Sequence, residues 1–464
     1  MLRNSNTYII VIETTFDINR SWLINQKIYM KHKIGFYTAL SIVVANMVGT
    51  GVFTSLGYQL LGLNDFAAII ILWSIGGLIA LFGSFAYSEL GAAIPRSGGE
   101  YRFLSEIYHP FIGFLSGWIS ATIGFAAPIA AASWALGKYA ATIFPNVSPQ
   151  LLGALVIILV TMVQSFNHSV GGRFQSVATT LKIILILVLV GFGLISAPAL
   201  NITFAPTDNT WKEVSSASFA ISLVYVSYAY SGWNASSYIA GEMENPKKNI
   251  PFSILGGTVL VAFLYILLNF VFLRTAPVSE MKGVAEVAFV SAKYIFGDYG
   301  SKVISVMISL LLVSTISSMV IVGPRVINAM GEDYPLFAII TKKNSHGIPV
   351  YAILLQSFIA IVLLFSSSFE TIITYISFTL TLFSVLTVLG VIVFRFKQPE
   401  VERPYKTWGY PVTPIIYILV NCWFLYFVVK EKPHDSLIGI GIVGLGAIAY
   451  FITQQFVSRQ KQNL

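Results

Sequence analysis

Charge is scarce in this chain of 464 residues. Only 10% of the residues are Asp, Glu, Lys or Arg, whereas a soluble domain carries about 25%. Apolar residues make up 56% of the sequence, and the mean hydropathy is +0.77. Most of the molecular surface must therefore face lipid, and the composition predicts an integral membrane protein surrounded by the lipid bilayer.

Cysteine and histidine are also rare, with one Cys and five His in the whole chain. A single cysteine excludes an internal disulfide framework and a Cys-based zinc site, and the histidines lack the spacing of metal ligands. An enzyme would need a constellation of His, Asp or Cys at mid-membrane depth, whereas Cys422 stands alone in its apolar stretch. We therefore expect no enzyme, no metal and no cofactor.

Twelve apolar stretches are each long enough to cross a bilayer, which takes about 20 residues. They lie at 35–57, 66–90, 111–142, 150–167, 175–197, 214–240, 252–273, 303–330, 348–366, 371–395, 411–429 and 437–457. If successive loops lie on opposite sides of the membrane, seventeen Lys and Arg residues fall on one side and seven on the other. Because cytoplasmic loops carry the excess of positive charge, both termini are predicted to be cytoplasmic. The Lys and Arg residues of the cytoplasmic loops account for the net charge of +8, so a nucleic-acid partner is not expected.

One transmembrane domain, residues 33–457, accounts for nearly the whole chain, because no loop is long enough to fold separately. Residues 1–32 are predicted to be a disordered extension, and residues 458–464 form a short tail. No ring of charged side chains suits a channel pore. No Asp or Glu falls in the middle of an apolar stretch, so a substrate with an uncharged side chain is expected.

Small residues interrupt two of the apolar stretches. Gly49, Thr50 and Gly51 lie in the middle of the first stretch, and Ser231 and Gly232 lie in the sixth. An unwound segment there would expose N–H groups that suit a carboxylate and C=O groups that suit an ammonium group. Close helix packing explains either interruption alone equally well. The two interruptions correspond to each other if the segments at about 35–197 and 214–395 form two inverted repeats, with the helices at 411–457 appended. This correspondence favours a binding site.

Four motifs resemble the amino acid–polyamine–organocation superfamily, and within it the L-amino-acid-transporter-like branch. They are GTGVF at 49–53, ELGAAIPRSGGEYRFL at 89–104, YAYSGWN at 228–234 and GEMENPKKNIP at 241–251. The resemblance implies an all-α membrane fold with a five-plus-five inverted repeat and two appended helices. It also implies a permease or exchanger for small neutral L-amino acids in the cell membrane, working by alternating access. The alternatives are a polyamine or cationic amino acid antiporter, and a non-transporting sensor on the same fold.

The resemblance also implies a set of substrate-binding residues. They are Met47, Gly49, Thr50, Gly51, Tyr228, Ala229, Tyr230, Ser231 and Gly232. The amides of Thr50 and Gly51 would bind the substrate carboxylate, and the carbonyls of Met47, Tyr228 and Ser231 would bind the ammonium group. Residue 228 holds the gating position, where the family usually has Phe. Packing of aromatic side chains on a helix face is the alternative for Tyr228 and Tyr230.

Lys182 interrupts the apolar fifth stretch, where a charge costs at least about 2.5–3.5 kcal/mol. The lysine could reach the membrane surface by snorkelling. The segment TTLKII, however, resembles the family's AAAKLL, in which the lysine replaces a sodium ion. This implies sodium-independent transport and contacts with polar residues of the eighth stretch, namely Ser314, Thr315, Ser317 and Ser318.

Two loops carry further expectations. The loop at 95–102, with Arg96, Glu100 and Arg102, is predicted to form a gate or an ion-pair element, and solvated loop charge is the alternative. Animal members of the branch join a glycoprotein subunit through a cysteine after the third stretch. Residues 143–150 contain no cysteine, so no such partner is expected, and the chain resembles a single-subunit bacterial transporter.

Overall fold

The computed structural model of the chain describes residues 34–166, 169–195, 204–334, 337–345 and 347–462. The predicted N-terminal extension, residues 1–32, lies outside the described residues, as does the end of the predicted tail. In the described part all repetitive structure is helical. The α-helices are α1 Phe36–Met47, α2 Thr50–Gln59, α3 Phe66–Ala93, α4 Glu100–Ile107, α5 Pro110–Ile119, α6 Ala126–Ala141, α7 Pro149–Phe166, α8 Ser169–Ile195, α9 Asp208–Val214, α10 Ala217–Tyr230, α11 Ala235–Tyr238, α12 Pro246–Thr275, α13 Val278–Met281, α14 Val287–Asp333, α15 Val350–Ser366, α16 Phe369–Lys397, α17 Val412–Glu431 and α18 Pro433–Gln462.

Ten helical segments of the described chain are long and apolar enough to cross a membrane. The first combines α1 and α2, and the third combines α5 and α6 through a π-helical turn at Ser120–Gly124. Two shorter apolar helices, α10 and α15, occupy the predicted sixth and ninth stretches. Every predicted stretch therefore contains an apolar helix, which confirms the all-helical membrane fold, while the count of twelve crossings stays a prediction.

The first span lies at the centre of the molecule. In its most apolar window 89% of the residues are buried, compared with 33% for α17 and 28% for α18. Helix α1 packs against α12 and α8, α12 packs along α3, and α14 packs along α6 and α8. Apolar side chains on the outward face of α7, such as Leu155, Leu159 and Met162, are exposed and suit contact with lipid. The packing therefore surrounds the interrupted first span with protein.

Short helices also form between the predicted apolar stretches. Helix α4 continues the 95–102 loop beneath the bundle, and α9 precedes the sixth span. The sequence of α4, EYRFLSEI, buries its aromatic and aliphatic side chains together with Glu100 and Arg102, and leaves Glu106 exposed. The predicted 95–102 loop is thus non-helical over residues 95–99, with a turn at 97–99 that leads into a helix beginning at Glu100.

Candidate substrate site at two broken helices

The first span is broken between Met47 and Thr50. Val48 and Gly49 leave the helical conformation, with ψ of 82° and −143°, and α2 begins at Thr50. The break therefore starts earlier than the Gly49–Gly51 interruption read from the sequence. Thr50 and Gly51 form the first turn of α2, where backbone N–H groups have no partner within the helix. These two amides are thus free donors at a helix N-terminus, which favours anions.

The sixth span is broken between Tyr230 and Ala235. Ser231 is extended (φ −61°, ψ 154°), and Gly232 has a φ of 95°, in the left-handed region that favours glycine. A Cβ atom at Gly232 would also lie 2.9 Å from the backbone carbon of Asn46 in the first span. Glycine is therefore required at 232 both for the turn and for the close approach of the two broken spans.

The two breaks lie against each other. The hydroxyl groups of Thr50 and Tyr228 are 2.6 Å apart and share a hydrogen bond. A Cβ atom on Gly51 would lie 2.4 Å from the Cα of Ala229, so the backbones of α2 and α10 touch. Tyr265 of α12 donates from Oη to the carbonyls of Met47 (2.6 Å) and Ala229 (3.2 Å). Residues that were selected separately in two distant motifs are thus in direct contact.

The predicted ammonium-binding carbonyls are not equally accessible. The Met47 carbonyl already accepts from Tyr265 Oη and from the Gly49 amide at 2.8 Å. The Tyr228 carbonyl accepts from the Ser231 amide at 3.0 Å and from Ser231 Oγ at 2.7 Å. Among the hydrogen bonds of the described residues, none is donated to the carbonyl of Ser231. In this conformation Ser231 is the available acceptor of the three.

Tyr230 combines the two interpretations left open by the sequence. Its ring packs against those of Trp73 and Tyr265, with centroids 5.9 and 5.1 Å away, and its hydroxyl donates to the Trp73 carbonyl. These contacts are those of a core aromatic residue. Part of the side chain nevertheless lines the cavity beside the sixth-span break.

Lys182 does not reach the membrane surface, because its side chain is only 2% exposed. The ammonium group donates to Thr315 Oγ1 (2.6 Å) and to the Val48 carbonyl (3.0 Å), and lies 3.5 Å from the Ala45 carbonyl. Thr315 Oγ1 also donates to the Val48 carbonyl at 3.1 Å. The Lys182 amino group therefore links α8, the first-span break and α14.

The other predicted partners of Lys182 were wrong, since Ser314, Ser317 and Ser318 bind other side chains. Each accepts a hydrogen bond from a buried amide that the sequence analysis did not select, namely Gln175 to Ser314 (3.2 Å), Gln164 to Ser317 (2.7 Å) and Asn46 to Ser318 (2.6 Å). Buried amides must find hydrogen-bond partners, so an amide within an apolar stretch was the signal for these contacts.

A cavity of about 120 Å³ lies beside the sixth-span break. Asn46, Tyr228, Ser231 and Gly232 line it at the two breaks, and the buried carboxylate of Glu100 lines it at α4. Space for a small solute is thus present next to the broken helices.

Ion pairs close the predicted inner face below this cavity. Arg102 pairs with Asp333 (2.5 Å) and Glu332 (3.1 Å) at the end of α14, and Tyr101 also donates to Asp333. Burial and the neighbouring Asp333 carboxylate raise the pKa of Tyr101, which therefore stays a donor. Arg96 instead pairs with Glu106, at an exposed position. Of the three residues predicted to form a gate, only Arg102 makes an ion pair between distant helices.

A second ion pair closes the same face. Arg325 of α14 makes a two-pronged contact with Glu242, just after the sixth-span break, with both N–O distances at 2.8 Å. The backbone of Ile34 bonds to Glu242 and Glu244 at 2.8 and 2.9 Å, which ties the start of the first span to the same point. These contacts thus tie α14, the segment after the sixth-span break and the start of the first span together.

Sequence comparison identifies the family. The profile described as "Amino acid permease" matches residues 34–457, which include both breaks, Lys182 and the ion pairs. The chain belongs to the amino acid permease family. It is a multi-pass membrane transporter of the amino acid–polyamine–organocation superfamily, as the motifs predicted.

Relatives extend this result. The chain is 30% identical to the serine/threonine exchanger SteT of Bacillus subtilis over 427 residues, which cover 90% of this chain and 96% of SteT. It is 26% identical to mouse b(0,+)-type amino acid transporter 1, covering 91% of this chain and 88% of the relative. It is also 26% identical to the human large neutral amino acids transporter small subunit 2, covering 91% and 80%.

Proposed function

We propose that the protein is a sodium-independent exchanger of small neutral amino acids such as serine and threonine. It works by alternating access in the cytoplasmic membrane, with both termini inside the cell and two five-span inverted repeats enclosing the site. The observation that carries the proposal is the Lys182 ammonium group bound to the Val48 carbonyl beside the first-span break. A cation that is part of the chain occupies the place where a coupling ion would bind unwound backbone.

The two breaks supply the groups that a zwitterion needs. The free amides of Thr50 and Gly51 suit the substrate carboxylate, and the Ser231 carbonyl suits the ammonium group. The direct Thr50–Tyr228 hydrogen bond closes the gap between the breaks, so substrate entry replaces that bond. The hydroxyls of Thr50, Tyr228 and Ser231 favour a small polar side chain such as that of serine.

The relatives support exchange and this substrate class. SteT is named a serine/threonine exchanger, and the human relative a transporter of large neutral amino acids. The latter is also named a small subunit, which points to an assembly with a second chain. In this chain residues 143–150 lack cysteine and Cys422 lies on α17, so we propose that it acts without a disulfide-linked subunit.

Counterflow tests the proposal. Purified protein in liposomes is preloaded with one unlabelled amino acid, and uptake of labelled serine is followed with sodium or with choline outside. We expect preloaded serine, threonine or alanine to drive uptake equally in both salts. Strong stimulation by sodium would reject the lysine-for-sodium assignment, and arginine competing as well as serine would reject the neutral substrate class.

A further inference from the structure

Glu100 is a buried carboxylate without a counter-charge. Its residue is 3% exposed, and none of the Lys, Arg or His side chains in the described part of the chain forms an ion pair with it. Its carboxylate accepts from neutral donors, Tyr87 Oη at 2.5 Å and Asn234 Nδ2 at 3.0 Å, and the neutral hydroxyl of Ser116 also lies beside it. Both donors bind the same oxygen, Oε1. A buried carboxylate normally has a cation beside it or is protonated.

The position of Glu100 links it to opening of the inner face. It is the first residue of α4, and the next two residues, Tyr101 and Arg102, hold Asp333 at the end of α14. Asn234, its amide partner, is the last residue of the sixth-span break. Glu100 also lines the cavity that reaches that break. Separation of α4 from the end of α14 would therefore expose this carboxylate to water.

The groups that face Glu100 from neighbouring elements are neutral. Tyr87 of α3, Tyr238 of α11 and Tyr417 of α17 are the titratable side chains within electrostatic reach. None of these tyrosines supplies a positive charge. Burial raises the pKa of Glu100 from 4.5 to about 7, partly offset by the hydrogen bonds from Tyr87 and Asn234. Compared with a hydrated carboxyl, this is an affinity for protons about 300-fold higher.

We propose that Glu100 is a proton-binding site, which holds a proton while the inner face is closed and releases it to water when that face opens. The direction follows from linkage. The closed state has the higher pKa and binds the proton more tightly, so lowering the pH favours closure and raising it above about 7 favours opening. The proposal rests on the proposed function only in using amino acid exchange as its readout.

The test measures serine counterflow with the same pH on both sides of the vesicle, from about 5.5 to about 8. For wild type we expect exchange to fall by up to about tenfold per pH unit below a midpoint near 7, until another step limits the rate. Glu100→Gln keeps a neutral side chain at every pH. Its exchange should match the slow wild-type rate at low pH and stay flat as the pH rises.

Two further variants keep the test decisive. Glu106→Gln removes an exposed carboxylate on the same helix and should keep the wild-type pH profile. Glu100→Asp retains a carboxylate that cannot reach both donors, and its profile should move to a different midpoint. If Glu100→Gln does not fold, an unchanged midpoint in Glu100→Asp overturns the proposal.

The outcomes separate this inference from the proposed function. Absence of exchange in wild type at every pH would contradict the exchanger function itself. Exchange with a flat pH profile would leave that function intact and overturn the proton site. Glu100→Gln that keeps the wild-type pH profile but has a raised KM would show that Glu100 binds the substrate ammonium group instead, which also overturns the proposal.

Discussion

Replacing Lys182 by methionine removes the ammonium group while keeping an unbranched apolar side chain that extends as far as the lysine Cε. In the structure that group makes two short hydrogen bonds, to Val48 O at 3.0 Å and to Thr315 Oγ1 at 2.6 Å. A hydrogen bond to a charged group contributes about 1.5–3 kcal/mol, so the two together contribute about 3–6 kcal/mol. Placing a charge within a membrane span costs about 2.5–3.5 kcal/mol. The net stabilisation by the charged group is the difference between the two contributions, which lies between about −0.5 and 3.5 kcal/mol and is smaller than the contacts alone suggest.

We therefore expect Lys182→Met to fold with a thermal midpoint close to that of wild type, because an apolar side chain of similar size is readily accommodated. Transport should respond differently, since the variant loses the bridge between α8, the first-span break and α14. If that bridge stabilises the exchange-competent arrangement by about 3 kcal/mol, the rate falls by about 100-fold or more.

The assay is serine counterflow in proteoliposomes, with detergent-solubilised protein in parallel for thermal stability. Leu181→Met is the matched control, because Leu181 is the neighbouring residue and its side chain is 47% exposed toward lipid. It should exchange serine at the wild-type rate. Wild-type exchange by Lys182→Met would refute the bridging role, and loss of folding in that variant would refute the energy balance.

Two further predictions concern the contact between the broken helices. Tyr228→Phe removes a hydroxyl that, in the proposed function, bonds to the polar side chain of serine once substrate has replaced the Thr50–Tyr228 bond. Losing that hydrogen bond, worth about 1 kcal/mol, should raise the KM for serine about fivefold, while leucine improves as a competitor. Equal changes for both amino acids would contradict this reasoning. Gly51→Ala places a methyl group 2.4 Å from the Cα of Ala229 and should abolish counterflow, whereas Gly191→Ala, which has open space around its Cβ, should keep it. An active Gly51→Ala variant would show that the two backbones separate freely.

The sequence predicted the helical framework because lipid leaves few choices. An apolar stretch of about 20 residues has to satisfy its backbone internally, so each such stretch becomes a helix. The breaks were predictable for a related reason, since Gly49 and Gly232 weaken a helix at a depth where unwinding is otherwise costly. Their exact extents were not, because the turn at Ser231–Asn234 depends on the approach of Asn46 from another span.

Side-chain partners were harder to predict than elements. The Lys182 ammonium group bonds to the first-span break and to Thr315, whereas the three serines also expected as partners in α14 bind Asn46, Gln164 and Gln175. Position along α14 alone does not decide which of several neighbouring hydroxyls faces a given helix. The burial of Glu100 was missed for a similar reason. Its segment is polar, and only packing of α4 against the spans removes it from water.

The covalent attachment of Lys182 has a thermodynamic consequence. An ion that diffuses through a carrier performs electrochemical work on each turnover, about 2.3 kcal/mol per charge across 100 mV. The Lys182 charge returns with the chain at the end of every turnover, so no voltage or sodium gradient is dissipated by it. Concentrating one amino acid then depends on another leaving down its own gradient. The composition of the internal amino acid pool, rather than the membrane potential, would set the direction in which such a protein runs.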